Sequence, residues 1–255
     1  MRLRLFIELF RNMGIRYVLY RIVHLLRVEI GFLKYKHPVN VSSKNFISLS
    51  NWRKSNFNFL DFTSKSKTKN KSLKNKAKKI LSGEIQFFHA KWFSLGLNYD
   101  WLTNPTNSYK YDITKHWSEI ADLHKDSGDI KYVWEKSRFC YIQTILRYDY
   151  QFNKNNAEFI FSQIESWINA NPINQGPNWR CSQEISLRIL NWCFALDFYK
   201  NDFALTELRW RKIQNTIYWS LDHVSKHINF SRIAVRNNHA ITENLFLSIS
   251  ELFFP

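Results

Sequence analysis

The sequence predicts an all-α body built of helical hairpins, and three observations carry that prediction. From Ser118 almost to the end, apolar residues recur at three- and four-residue spacing. Turn residues such as Asn171-Pro172 and Gln175-Gly176-Pro177-Asn178 interrupt the pattern, so successive helices are joined by short loops and run antiparallel. Only six Gly and five Pro occur in 255 residues, which argues against a β-rich body.

Taken in order, residues 1–37 mix Arg2, Arg4, Arg11, Arg16, Arg21 and Arg27 with Leu, Ile, Val, Phe and Tyr at helical spacing. This reads as a basic amphipathic helix packed on the body, with an interfacial helix on anionic lipid as the alternative. Residues 38–82 are rich in Lys, Ser and Asn. Eight lysines fall between Lys65 and Lys79 with no acidic residue among them, and a solvated linker or loop is expected. Order resumes near Gly83, where EIQFFHAKWFSLG alternates enough for a short extended segment or turn. Helices are then expected near 130–150, 156–170, 181–199, 206–228 and 239–254 within a unit spanning 83–255.

Composition bounds function more loosely. Lys and Arg number 37 against 21 Asp and Glu, a formal charge of +16, and removing the eight lysines of the tract still leaves an excess of positive charge. Acidic partners are favoured: nucleic acid, anionic lipid or acidic polysaccharide. Spaced lysines without arginine or interleaved aromatics argue against nucleic acid. Aromatic residues make up 17%, with 10 Trp, 12 Tyr and 21 Phe; most are expected in helix interfaces and a few against sugar faces. Cys140, Cys181 and Cys193 form neither an even set nor a C-x-x-C pair, so no disulfide framework and no zinc site are expected. The N-terminal apolar run is broken by Glu8 and Arg11, too short for a signal peptide, and no stretch approaches the roughly 20 apolar residues of a spanning helix. The compartment is therefore open, with cytoplasm as the default expectation and periplasm as the other.

Neither a Gly-rich phosphate loop nor G-x-S-x-G nor H-E-x-x-H occurs. Three polar blocks instead sit within apolar helical stretches. In Trp134-Glu135-Lys136-Ser137-Arg138 the acid and arginine lie three apart on one helical face, and in Trp179 through Glu184 to Arg188 they lie four apart. Surface ion pairs within each block are the plain reading. In Arg236-Asn237-Asn238-His239 the asparagines suit a helix N-cap, while the N–H groups and dipole of that helix start suit a carboxylate.

These three blocks, in this order and at about these separations, resemble the signatures of the N-terminal domain of the heparinase II/III family of polysaccharide lyases, over roughly residues 85–255. The resemblance implies an incomplete (α/α) toroid with a cleft for uronate-containing acidic polysaccharide, and in full-length members a following antiparallel β-sandwich. It implies β-elimination: neutralisation of the C5 carboxylate, removal of the C5 proton and protonation of O4, without a cofactor. By position, Asn238 would neutralise the carboxylate and His239 would act beside it as donor or base. Trp134, Glu135, Arg138, Trp179, Glu184, Arg188 and Asn237 would serve substrate binding.

The resemblance also sets a departure. The family places a catalytic tyrosine beyond the Asn-Asn-His block and a further histidine in the later region, whereas this chain ends at Pro255, so a separate β-sandwich domain or chain is an expected partner. Phe246, Phe253 and Phe254 are then expected to be exposed for want of a packing partner. Two other readings compete: a non-catalytic acidic-glycan-binding protein that keeps the cleft, and an inverting glycosidase using Glu135 and Glu184. The second is weakened because both acids are better read as partners of Arg138 and Arg188.

Overall fold

A computed structural model of the chain describes residues 8, 11–54 and 67–253. Helix α1 spans Ile15–Glu29, α2 Phe32–Lys36 and α3 Leu49–Lys54. Helix α4, Lys71–Leu81, follows, and a hairpin pairs β1, Glu84–Phe87, with β2, Lys91–Ser94. A 3-10 turn, Trp117–Glu119, and a two-residue ladder of β3, Leu123–His124, with β4, Gly128–Asp129, lead into the body. The body comprises α5 Lys131–Ser137, α6 Tyr141–Phe152, α7 Ala157–Ala170, α8 Ser182–Phe198, α9 Glu207–Phe230 and α10 Asn238–Phe253.

The helices pack in alternation. Helix α6 lies against α4 and α8, α8 against α10, and α7 against α9, so alternate helices form two layers. Between them sits a core with Ile142, Ile145, Ile160, Ile164, Trp167, Ile189, Trp192 and Ile217 fully buried. Burying such side chains contributes roughly 1.5–3 kcal/mol each, which explains why a 3.6-residue period is the strongest signal in the sequence.

The expected linker is corrected in part. Residues 71–81 are a helix: the side chain of Asn70 accepts from the amides of Ser72 and Leu73, capping it, and Leu73, Ala77 and Ile80 are buried. Their four- and three-residue spacing is a helical stripe that the surrounding lysines mask, because those lysines occupy the exposed positions. Leu49 and Trp52 of α3 are also buried, with Trp52 stacked on Trp210 at 4.6 Å. The linker residues 55–66 lie outside the described ones.

The segment expected as one helix over 130–150 is two. Phe139, at φ 59°, breaks it, a conformation that costs a non-glycine residue on the order of 1 kcal/mol or more. Full burial of its ring, stacked on Trp101 at 5.3 Å and edge-on to Trp192 at 5.6 Å, offsets that cost. The expectation for Phe246 is also corrected, since only 1% of it is exposed. Phe254 and the side chain of Phe253 lie outside the described residues.

Candidate functional site

A cleft of about 440 Å³ opens where α8, the end of α9 and the start of α10 meet the β3–β4 ladder and α5. Its wall includes Trp134, Arg180, Cys181, His227, Ser231 and His239, with Arg21 reaching in from α1. The sequence positions these groups through local irregularities. Helix α9 ends in a π-helical turn, Ser231–Val235, which turns Ser231 and Val235 to the cleft, and Arg236, at φ 54°, terminates it. Asn237 then caps α10, its Oδ1 accepting from the His239 amide at 2.9 Å. Cap and turn together aim His239 back at the N-terminus of α8, where its Nδ1 lies 3.8 Å from Cys181 Sγ.

Burial lowers the His239 pKa below its ordinary value, so the imidazole is neutral at pH 7. His227 is held further down by burial and by its histidine and arginine neighbours; its Nδ1 lies 3.1 Å from Ser182 Oγ, and its Nε2 has no hydrogen-bond partner among the described residues. Behind Ser231 the carboxyl of Glu243, fully buried, accepts from Ser231 Oγ at 2.6 Å. Burial raises it to about 7. Three cations, Arg21, Lys131 and Arg180, face two carboxylates, Asp122 and Asp129. Arg180 Nε is 3.2 Å from Asp122, whose side chain is 63% exposed and therefore easily displaced, and Arg21 lies over the ring of Phe230 at 5.5 Å.

Seven of the nine sequence-predicted residues divide into three groups. Trp134 and His239 line the cleft, Trp134 being fixed by its indole N–H donating to Pro177 O at 2.9 Å. Asn237 and Asn238 are exposed at the start of α10 beside it, Asn238 outside the lining. Glu135, Arg138 and Glu184 form one ion cluster: Arg138 Nε and Nη2 grip the two oxygens of Glu184 at 2.5 and 2.7 Å, and Nη1 reaches Glu135 at 2.5 Å. Burial alone would lower the Arg138 pKa, but Glu184 and Glu135 outweigh it and raise it.

Two expectations fail on geometry. Glu184 pairs with Arg138, not with Arg188, and the pair is nearly enclosed rather than on the surface, with 5% of the Glu184 side chain exposed. Arg188 and Trp179 are fully buried and so out of reach of a sugar. The guanidinium of Arg188 donates to Ser137 O at 2.9 Å and to Asn178 O at 2.8 Å, and it stacks 4.0 Å from the ring of Trp167. It serves carbonyls left open where α5 ends and where the Pro177–Trp179 turn precedes α8. The glycosidase reading loses its pair as well, because both acids are committed to one arginine.

Sequence reasoning missed Arg21, Arg180, His227 and Ser231. Arg180 stood inside the second block, and His227 follows His223 by one helical turn on the buried face of α9. Polar residues on an otherwise apolar face were the available signal.

No protein family model matches the sequence, and no curated protein matches it. Solved structures do. The crystal structure of heparan sulfate lyase HepC from Pedobacter heparinus superposes with a TM-score of 0.58 at 20% identity, covering 81% of this chain and 31% of that one. A mutant of the same enzyme gives 0.56 at 18% identity with the same coverage. The fold is that of a heparinase-like lyase toroid. The toroid accounts for the two-layered alternation of helices, and the cleft lies where α8 and α10 adjoin. The chain spans about a third of the length of the solved lyase it matches, and at this identity the likeness concerns the fold.

Proposed function

We propose that the toroid binds acidic, uronate-containing polysaccharide in this cleft and supplies part of the machinery for its β-eliminative cleavage. One observation carries the reading: a neutral imidazole, His239, stands on the cleft wall at the start of a helix, beside Trp134 and Arg180. Trp134 offers an aromatic edge to a sugar ring, and Arg180 exchanges its exposed Asp122 partner for a carboxylate or sulfate. The Asn238 amide and the open N–H groups of α10 suit the C5 carboxylate, and a neutral His239 suits removal of the C5 proton. The structural likeness to a heparan sulfate lyase makes a glycosaminoglycan the first substrate class to test.

Elimination also requires a proton donor at O4, and no tyrosine lines the cleft among the described residues. In the first reading that donor comes from a separate β-sandwich domain or chain; the second reading is a glycan-binding protein without turnover. The test is to incubate the chain with heparan sulfate and with alginate, following binding by calorimetry and unsaturated product by absorbance near ~232 nm, the elimination chromophore expected of this chemistry. Binding with turnover only when a β-sandwich partner is added supports the first reading. Binding that survives Asn238→Ala with His239→Ala and never yields product supports the second. Failure to bind either polymer overturns both.

A further inference from the structure

Helix α1 carries an apolar stripe on its solvent side, where Leu25, Arg16, Arg27 and Glu29 are exposed as well. Ile15, Leu19, Ile22, Val23, Leu26 and Ile30 are between 42% and 74% exposed. Their spacing of four, three, one, three and four residues gathers them into a stripe about 100° wide on a helix of 3.6 residues per turn. The opposite side packs inward, the His24 ring lying 4.5 Å from Phe230 and Arg21 entering the cleft, while Val18, beside one edge of the stripe, is buried. Arg16 and Arg27, both exposed, border one edge of the stripe. Just beyond its end stand Phe32 and Tyr35, 39% and 84% exposed. Between residues 11 and 37 six residues are Lys or Arg and one, Glu29, is acidic.

We infer that α1 is an interfacial anchor that lays this stripe into an anionic lipid surface. The charge pattern selects the occupant. A lipid headgroup layer offers negative charge to Arg16 and Arg27 while its acyl boundary takes the apolar stripe, and aromatic side chains favour that boundary. A second copy is the poorer fit, because the paired-helix seam of four- and three-residue steps through Ile15, Leu19, Ile22 and Leu26 next falls on Glu29. Val23 and Ile30 instead widen the stripe beyond a seam. None of the described helices is long and apolar enough to cross a membrane, so the contact is peripheral. Because α1 carries the stripe on one side and Arg21 on the other, docking holds the cleft within about one helix diameter, ~10 Å, of the headgroups.

The test uses the full chain in sedimentation with vesicles of phosphatidylcholine alone and with 30% phosphatidylglycerol, about a third of the lipid being anionic. The expected result is binding to the anionic vesicles that falls with salt. It should drop at least about tenfold in Leu19→Glu with Leu26→Glu, and in Arg16→Glu with Arg27→Glu, while the circular dichroism spectrum is unchanged. These side chains are exposed, so folding is preserved. Wild-type protein that ignores anionic vesicles, or variants that bind them equally well, overturn the proposal. A concentration-dependent dimer in sedimentation velocity that the leucine variant abolishes also overturns it, in favour of a second copy on the stripe.

Discussion

Arg138 holds Glu184 through two parallel hydrogen bonds, Nε to Oε2 and Nη2 to Oε1, across 46 residues of sequence. The fork fixes the break between α5 and α6 against the first turn of α8, and Asn191 completes the joint by donating to Arg138 O at 2.8 Å. Because Glu135 shares the same guanidinium, removing it strands two nearly buried carboxylates. Arg138→Met is expected to cost about 3–5 kcal/mol in urea denaturation, and Arg138→Lys roughly 1–3, since an ammonium cannot form the fork. Adding Glu135→Gln and Glu184→Gln to Arg138→Met should recover most of the loss. A triple variant no more stable than the single one would show that the cluster acts by packing rather than by charge.

Much of this architecture was legible in the sequence because helix periodicity is a local property. The helices over 157–170, 182–198 and 207–230 follow from apolar spacing, and Asn237 announces itself as a cap. The site was less legible because its walls come from α1, the β3–β4 ladder, α5, α8, α9 and α10, and no local pattern reports which of their faces converge. The Glu184 and Arg188 pair shows the limit. Spacing of four put both on one helical face, but that face is buried, and the arginine turned to two open carbonyls while a distant arginine took the acid. Helix α4 shows another, since composition dominated by lysine concealed three correctly spaced apolar residues.

A buried histidine cluster couples stability to acid. His37 and His223 are fully buried and His227 nearly so, with the His37 and His223 rings 4.6 Å apart and all three around Trp117. Burial, reinforced by Lys36, His116 and Lys226, lowers His37 to about 3, and burial with neighbouring cations holds His223 and His227 well below their ordinary value. The unfolded chain binds protons at these positions below about pH 6.5 and the folded chain does not, so stability is fully present above that value and falls as pH drops toward 3. Each histidine contributes up to about 1.4 kcal/mol per pH unit in that window. Near pH 5 these three histidines should together contribute an uptake of roughly three protons to unfolding. His37→Phe, which replaces a ring whose two nitrogens have no hydrogen-bond partner among the described residues, should remove about one of them. An unchanged slope in that variant would exclude His37 from the effect.

Glu243 works in the opposite direction. Its carboxyl is raised to about 7 by burial, so the folded protein keeps a proton that the unfolded chain releases above about pH 4.5. Stability from this group is present at low pH and is lost as pH rises through 7. Glu243→Gln retains an oxygen to accept from Ser231 and cannot ionise. It should match wild type at pH 5 and exceed it by roughly 1–3 kcal/mol at pH 8. Equal stability at both pH values would mean that the carboxyl ionises freely in the folded protein.

The cleft separates the two arginines of the second sequence block. Arg180 borders the cleft with an exposed and replaceable partner, whereas Arg188 is fully buried and stacked on Trp167. Arg180→Ala should therefore weaken heparan sulfate binding by roughly tenfold, the value of one charge-assisted hydrogen bond, and reduce its salt dependence, with little change in stability. Arg188→Ala should do the reverse, lowering stability by several kcal/mol through two unsatisfied carbonyls and a cavity while leaving the affinity of the remaining folded protein near wild type. Calorimetric titration with a heparan sulfate oligosaccharide, paired with thermal denaturation of each variant, distinguishes them. Loss of affinity in Arg188→Ala without loss of stability would place the sugar on the far side of α8 and move the site away from His239.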